Sequence, residues 1–387
     1  MSANPTESEY NGFELGPIRP PSEAQSLLIR VTRNCAWNRC TFCPVYKGKS
    51  FSTRPTEDVI RDIDVVHGYV QELRHEFKDP YSVTADWQVK ATDEADPHDY
   101  PALDMAYQWF MNGMKTVFLQ DSDALTVGIA ELVRILEHLR SRFPSIERVT
   151  SYSRSSTLVK ASVDDLIVLR EAGLDRIHVG LESGSDNVLK MVRKGASKDM
   201  HIRAGRLVKD AGIELSEYVM PGLGGQLLSH EHAVETADAL SQINPDFIRM
   251  RQLAIPDRAP LSEAVHDGRF VKCTDLIIAQ EMHTMLENLE GVTSIITSDH
   301  LLDLFPEITG KLPEAQEKMC SVLQTFISMP PSDQRTYCLG RRIGVFSRVS
   351  DINDPAKLEQ VQYWKERYEL TESGVDEFLD RVVQSFI

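Results

Sequence analysis

The 387-residue chain has no uninterrupted apolar stretch near the roughly 18 residues that read as a membrane-spanning helix, so no span is expected. It has no basic excess either. Its 42 Lys and Arg stand against 58 Asp and Glu, a net charge of −16, which argues against a nucleic-acid partner held mainly by phosphate neutralisation. Six cysteines are too few to staple a chain this long, and in a reducing compartment a cluster of them points to metal or catalysis. The first 25 residues carry neither the basic start nor the apolar core of a signal peptide, so a cytoplasmic protein with a disordered or extended leader over 1–25 is expected. No internal repeat or low-complexity tract is visible.

What is there is ordinary globular composition, 42% apolar and 26% charged, sufficient for a large core. After the leader, Ser26 to Asn34 reads as a buried strand that feeds a loop. Thr56 to Phe77 reads as a helix capped by Thr56, with Val59, Ile60, Ile63, Val66 and Val70 on its apolar face. Pro80 to Pro101, rich in Asp and Pro, reads as an insertion at the rim. From Ala102 to Leu253, helix and strand signals alternate, with strands at Thr116–Gln120, Arg148–Tyr152, Arg176–Leu181, Glu214–Val219 and Phe247–Leu253. That order implies parallel βα units with right-handed crossovers. The expected fold is therefore α/β: six strands in a partial (βα)6 TIM-like barrel or a doubly wound sheet over 26–260. A mainly helical C-terminal extension over 261–387 is expected to close its mouth, with helices near Asp275–Leu289, Pro313–Ser328 and Pro355 to the end, and a short strand at Thr293–Thr297.

Three of the cysteines, Cys35, Cys40 and Cys43, fall within nine residues on the loop that leaves the first strand, with four and then two residues between them. Three soft ligands on one short loop can hold three irons of a [4Fe–4S] cluster and leave the fourth open to a small molecule. The competing reading is a zinc site or unrelated buried thiols. Structural zinc usually takes four protein ligands, and the first candidate for a fourth is His67, inside the expected helix. Cys273, Cys320 and Cys338 lack cluster spacing and read as core residues.

With this motif the chain resembles the radical SAM superfamily over roughly Ser26 to Pro260. The usual family pattern has three, then two, residues between its cysteines, so the four between Cys35 and Cys40 are a departure. The resemblance implies that the open iron binds the amino and carboxylate groups of S-adenosylmethionine. It also implies that one electron cleaves the sulfonium to methionine and a 5′-deoxyadenosyl radical that abstracts hydrogen. Phe42 matches the family's aromatic near the adenine. No Asp-x-His-x-x-Gly segment of the kind that binds cobalamin is present.

Ligands of parallel α/β folds gather at the carboxyl ends of strands, which directs attention to the residues just beyond each one. Asp121 and Asp123 follow the second strand, where the family often has a Gly-Gly-Glu motif that contacts the methionine ammonium. An acidic pair suits that ammonium; Asp123 as a helix cap is the other reading. His178 to Ser185 resembles the fourth-strand motif of the branch with oxygen-independent coproporphyrinogen oxidases and methylthiotransferases, which implies that Glu182 faces S-adenosylmethionine. The alternative partners for Glu182 are Arg154 and Arg203, and Lys194-Gly195 reads as a turn. Gly222, in the glycine-rich end of the fifth strand, allows close backbone approach, and the resemblance places it by the adenine. Arg249 and Arg251 meet either an anionic substrate or the acids Asp121 and Glu182.

The resulting expectation is a radical SAM enzyme with a [4Fe–4S] cluster and S-adenosylmethionine, acting on a small-molecule substrate. A reducing donor such as flavodoxin or ferredoxin would supply the electron, and neither nucleic acid nor membrane is an expected partner. The alternative is an Fe–S electron carrier or sensor without a substrate of its own.

Overall fold

The computed structural model describes residues 10–78, 82–84, 87, 91–92, 97–300, 302–370, 374–375 and 378–379. The ten strands among them are β1 Leu27–Arg30, β2 Thr32–Arg33, β3 Ser52–Thr53, β4 Thr116–Gln120, β5 Arg148–Ser153, β6 Arg176–Glu182, β7 Glu214–Val219, β8 Phe247–Met250, β9 Ile295–Thr297 and β10 Gly310–Lys311. Eight form one sheet in the order β1-β4-β5-β6-β7-β8-β9-β10, while β2 and β3 pair separately. Every pair from β1 to β9 is parallel, and β10 closes the row antiparallel to β9. Helices connect the parallel strands, as parallel pairing requires. The fold is α/β, a partial TIM-like barrel.

Alternation along the strands sorts the side chains by chemistry. One face, with Leu27, Ile29, Val117, Leu119, Val149, Ile177, Val179, Leu215 and Ile248 all fully buried, joins the apolar core under the helices. The other face carries Phe118, Tyr152, His178 and Tyr218, whose rings touch in sequence at centroid distances of 5.1, 5.6 and 5.5 Å. Thr150, Ser216 and Arg249 share that face, because the register pairs Phe118 with Thr150, His178 with Ser216 and Tyr218 with Arg249. The inside of the barrel is thus aromatic and polar, while its stability comes from the outer layer, at roughly 1.5–3 kcal/mol for each large apolar side chain buried.

The six expected strands are present, but the sheet does not stop there. β9, read from sequence as part of the helical extension, is a seventh parallel strand, and β10 an eighth strand. The helix Asp275–Glu287 packs on the helix Gly225–Ile243 and completes another crossover. A three-residue strand gives too short a period to be assigned to a sheet from sequence. The helix Pro331–Arg342 was not expected either, since Pro330-Pro331 reads as a break. Proline at the first helical position is favourable, and the helix is held by fully buried Tyr337, which donates to Leu304 O at 2.9 Å and stacks on Phe305.

Other elements agree with the sequence to within a few residues. The first long helix runs Thr56–Glu76, with Pro55 rather than Thr56 in the cap position and no side-chain cap bond. The strand expected over Phe247–Leu253 ends at Met250. Of the leader expected to be disordered or extended, Tyr10 to Gln25 is packed against the domain: Phe13 and Glu23 are buried, Tyr10 Oη donates to Asp62 Oδ1 at 2.8 Å, and Gly16 N donates to Gln120 Oε1 at 2.8 Å. Half of the expected rim insertion at Pro80–Pro101, and the chain end beyond residue 379, lie outside the described residues. Among the described residues no helix is long and apolar enough to cross a membrane.

Candidate functional site

The loop after β1 owes its shape to short polar side chains. Asn34 and Asn38 adopt left-handed backbone angles, φ 69° and 42°, which asparagine tolerates better than most residues. Asn34 Nδ2 donates to Ser50 O at 2.6 Å, and Asn38 Nδ2 donates to Lys49 O at 3.2 Å. The loop is tied across to the segment after β6: Thr41 N donates to Val192 O at 2.9 Å and Trp37 Nε1 donates to Arg193 O at 2.7 Å. Cys35, Cys40 and Cys43 are all free and half-buried, and they line one cavity of about 460 Å³ at the carboxyl ends of the strands. Phe42 lines it too. Burial pushes the Cys40 and Cys43 thiols up in pKa. Cys273 lies elsewhere, in a smaller cavity of about 110 Å³.

Glu182, at the end of β6, is on the wall of the cysteine cavity. Its backbone is left-handed at φ 63°, and its Oε1 accepts from Lys194 Nζ at 2.9 Å. Neither Arg154 nor Arg203 is its partner. Arg154 Nη2 donates to Lys194 O at 2.8 Å, and Arg203 pairs with Asp199 on the surface. Gly180 makes the Glu182–Lys194 pair fit: a Cβ there would stand 2.2 Å from Glu182 Oε1 and 2.8 Å from Lys194 Nζ. Burial opposes the charge on Lys194, but Glu182 and then Cys40 hold its ammonium above the ordinary lysine range.

The acidic pair after β4 does not reach the cavity. Asp121 is fully buried beneath the cysteine loop, where Oδ2 accepts from Arg30 Nη2 at 2.8 Å and Asn34 N at 3.1 Å, and Oδ1 accepts from Tyr46 Oη at 2.7 Å. Both carboxylate oxygens are therefore engaged inside the protein. Asp123 is also fully buried and serves neither as a ligand to the cavity nor as a side-chain cap. It accepts from Ser153 Oγ at 2.9 Å and Thr157 Oγ1 at 2.6 Å. Burial raises its pKa to about 6, with the two hydroxyl bonds opposing. Gly222 is likewise outside: at φ 88° the chain turns away, its N–H donates to buried Glu281 Oε1 at 2.6 Å, and it borders the cavity of Cys273.

Two wall residues, Lys194 and Tyr218, carried no clear signal in the sequence, whereas Arg251 reads there as a partner for an anion. Lys194 looked like part of a turn. Tyr152 and Tyr218 rise from the barrel interior, and Arg154, Arg251 and His300 come from strand ends. Arg249 and Arg251 pair with neither Asp121 nor Glu182 but with Asp299, at 3.1 and 2.9 Å. The strand-end rule reaches these positions, but the long loop that delivers Asp299 does not show in a local pattern. On the outer side of the cysteine loop lies a second, wider pocket of about 900 Å³ with Trp37, Arg39, Lys47, Lys190 and Arg193 on its walls.

The model of the Radical SAM superfamily matches residues 102–237, which span β4 to β7 and begin after the cysteine loop. Among curated proteins the chain is 24% identical over 267 residues to tRNA uridine(34) acetyltransferase of Methanocaldococcus infernus, covering 66% of this chain and 47% of that protein. It is 27% identical over 225 residues to 4′-phospho-dehydrooxetanocin synthase of Priestia megaterium, covering 56% and 26%. The chain thus spans about half or less of the length of these relatives. Among solved structures, methylornithine synthase superposes with a TM-score of 0.43 at 12% identity, over 71% of this chain and 66% of that one. HydG, a maturase of the [FeFe]-hydrogenase, gives 0.42 at 12%, over 92% and 81%. Proteins of the matched superfamily use a [4Fe–4S] cluster and S-adenosylmethionine. The matched segment, four consecutive strands of the parallel sheet with their helices, is thus similar to the Radical SAM superfamily.

Proposed function

We propose that Cys35, Cys40 and Cys43 hold a [4Fe–4S] cluster, and that the cavity beside them takes S-adenosylmethionine together with a small-molecule substrate. The observation that carries this reading is the location of all three thiols on the wall of one cavity at the strand ends. The donor set fits the group. Three thiolates on one short loop, sharing one wall, can each take an iron of the cube. When bound, the reduced cluster and S-adenosylmethionine supply a 5′-deoxyadenosyl radical for hydrogen abstraction.

The protein's own contribution is orientation and exclusion of water. Asp121, through Tyr46 and the Asn34 amide, fixes the loop that presents the thiols. Phe42 offers an aromatic edge beside Cys43 for the adenine. Glu182, oriented by Lys194, offers its remaining carboxylate oxygen to an ammonium or hydroxyl of S-adenosylmethionine. A small-molecule substrate is supported by the bounded volume of the cavity and by the −16 charge of the chain. A nucleic-acid substrate has one observation behind it, the basic outer pocket with Arg39, Lys47, Lys190 and Arg193. Failure to retain tRNA at 0.15 M-range salt, roughly physiological, separates the two.

Iron and sulfide content tests the cluster assignment. Anaerobically reconstituted protein should hold about four of each. Alanine at Cys35, Cys40 or Cys43 should abolish the cluster, and Cys273→Ala should leave it intact. Zinc in place of iron after anaerobic purification would reject the assignment.

A further inference from the structure

Of the cations on the cavity wall, two are already engaged by the protein. Lys194 is paired with Glu182, and Arg154 is bonded to Lys194 O and lies over the Trp37 ring at 5.2 Å. Arg251, just past the end of β8, is different. Its Nη1 donates to Asp299 Oδ1 at 2.9 Å and Met250 O at 3.1 Å, but its Nη2 is buried with no hydrogen-bond partner among the described residues. The single carboxylate of Asp299 is also shared with Arg249 Nη1, at 3.1 Å, so two guanidinium charges meet one anion. Asp303, the other nearby carboxyl, is occupied by the amides of Gln252 and His300 and by Ser298 Oγ, and burial raises its pKa.

Tyr218 faces the same place from β7. The Arg251 guanidinium carbon stands 5.1 Å from its ring centroid, and the buried Tyr218 hydroxyl interacts with that of Tyr152 without a well-formed hydrogen bond. Burial raises its pKa, so the phenol stays a donor near neutral pH. A buried donor without a well-formed bond is costly, and here the two residues that carry such donors, one of them charged, line a cavity large enough for an organic molecule.

We infer that the substrate carries an oxyanion, a carboxylate or phosphate, which Arg251 Nη2 and Tyr218 Oη bind at the β7–β8 end of the cavity. This rests on the cavity being the substrate site, as proposed above. It assigns the substrate class as a small organic acid or phosphate ester. Guanidinium suits either anion, and a phenol donor beside it adds direction.

The test is calorimetric titration of the reconstituted full chain at constant ionic strength, with inorganic phosphate in one arm and succinate in the other. Saturable binding of at least one is expected, and whichever arm binds more tightly tells phosphate from carboxylate. Arg251→Gln should weaken it tenfold to a hundredfold, the effect of losing a charge-assisted bond. Tyr218→Phe should weaken it by a smaller factor, whereas Lys190→Gln, in the outer basic pocket, should leave it unchanged. Arg251→Lys, which keeps the charge, guards against a folding defect and should restore part of the affinity. Affinity for S-adenosylmethionine should be unaltered in Arg251→Gln. Absence of saturable binding to both anions, binding that survives Arg251→Gln, or binding lost in Lys190→Gln would overturn the inference. So would loss of S-adenosylmethionine affinity in Arg251→Gln, which would assign Arg251 to the cofactor. Loss of the cluster proposal would show instead as iron content below that expected, with these anion titrations unchanged.

Discussion

Glu182 has one oxygen committed to Lys194 and sits in a backbone conformation that its side-chain pairing stabilises, so its replacement separates binding from folding. Glu182→Gln keeps the shape and removes the charge. Affinity for S-adenosylmethionine should fall by roughly tenfold to a hundredfold, about 1.5–3 kcal/mol, with iron content unchanged. If Glu182 serves only to pair with Lys194, equilibrium dialysis will show unaltered affinity and the unfolding midpoint alone will fall. Asp123 offers a second residue-level prediction. Its folded pKa of about 6 stands above the 3.8 of an ordinary Asp, so between those values the folded state binds more protons than the unfolded one. Stability therefore declines as pH rises from about 4 to about 6, and stays reduced above. Urea unfolding of the apoprotein across that range should show the decline, roughly 1–3 kcal/mol from this group, and Asp123→Asn should flatten it. An equal slope in the variant would show that another group carries the effect. Asp123 also shows where strand-end reasoning stopped. The acids after β4 were legible as special, but only the three-dimensional placement of their partners shows that Asp121 holds the cysteine loop, through Tyr46 and Arg30, and Asp123 the end of β5, through Ser153 and Thr157, instead of facing the cavity.

The cysteine loop is the element on which the site depends, and Asp121 is its anchor from below. Asp121→Asn removes the charge that pairs with Arg30 and accepts from Tyr46 and the Asn34 amide. Breaking a buried pair costs about 3–5 kcal/mol, so the variant should unfold at lower denaturant and lose its cluster faster to a chelator. Equal rates of iron release would show that the loop holds its form without Asp121. In the C-terminal part, Tyr337→Phe should cost about 1 kcal/mol by freeing Leu304 O, measurable as a shift in the unfolding midpoint. The parallel strands from Leu27 to Met250 were readable because each is a short run, with buried apolar residues on one face, set between helical periods. β9 and the Pro331–Arg342 helix were not, because a three-residue strand has no measurable period and a Pro-Pro pair marks a break as readily as a helix start. The three cysteines needed no structure to be noticed, and Arg251 stood out as a partner for an anion, whereas Lys194 and Tyr218 gain meaning only when the barrel brings them to one mouth.

At the scale of the molecule, the barrel divides labour between its two faces. Apolar side chains under the helices stabilise the sheet, which leaves the inner face free to be aromatic and polar and to end in a cavity with thiols at one part of its wall and guanidinium groups at another. The central claim is that this cavity unites the cluster ligands with S-adenosylmethionine. The direct measurement is the product of anaerobic incubation of the reconstituted protein with dithionite and S-adenosylmethionine, resolved by liquid chromatography. The account predicts 5′-deoxyadenosine and methionine, formed slowly without substrate and absent in Cys35→Ala, Cys40→Ala and Cys43→Ala. Intact S-adenosylmethionine after incubation with a cluster-loaded protein, or methylthioadenosine in place of 5′-deoxyadenosine, would contradict it.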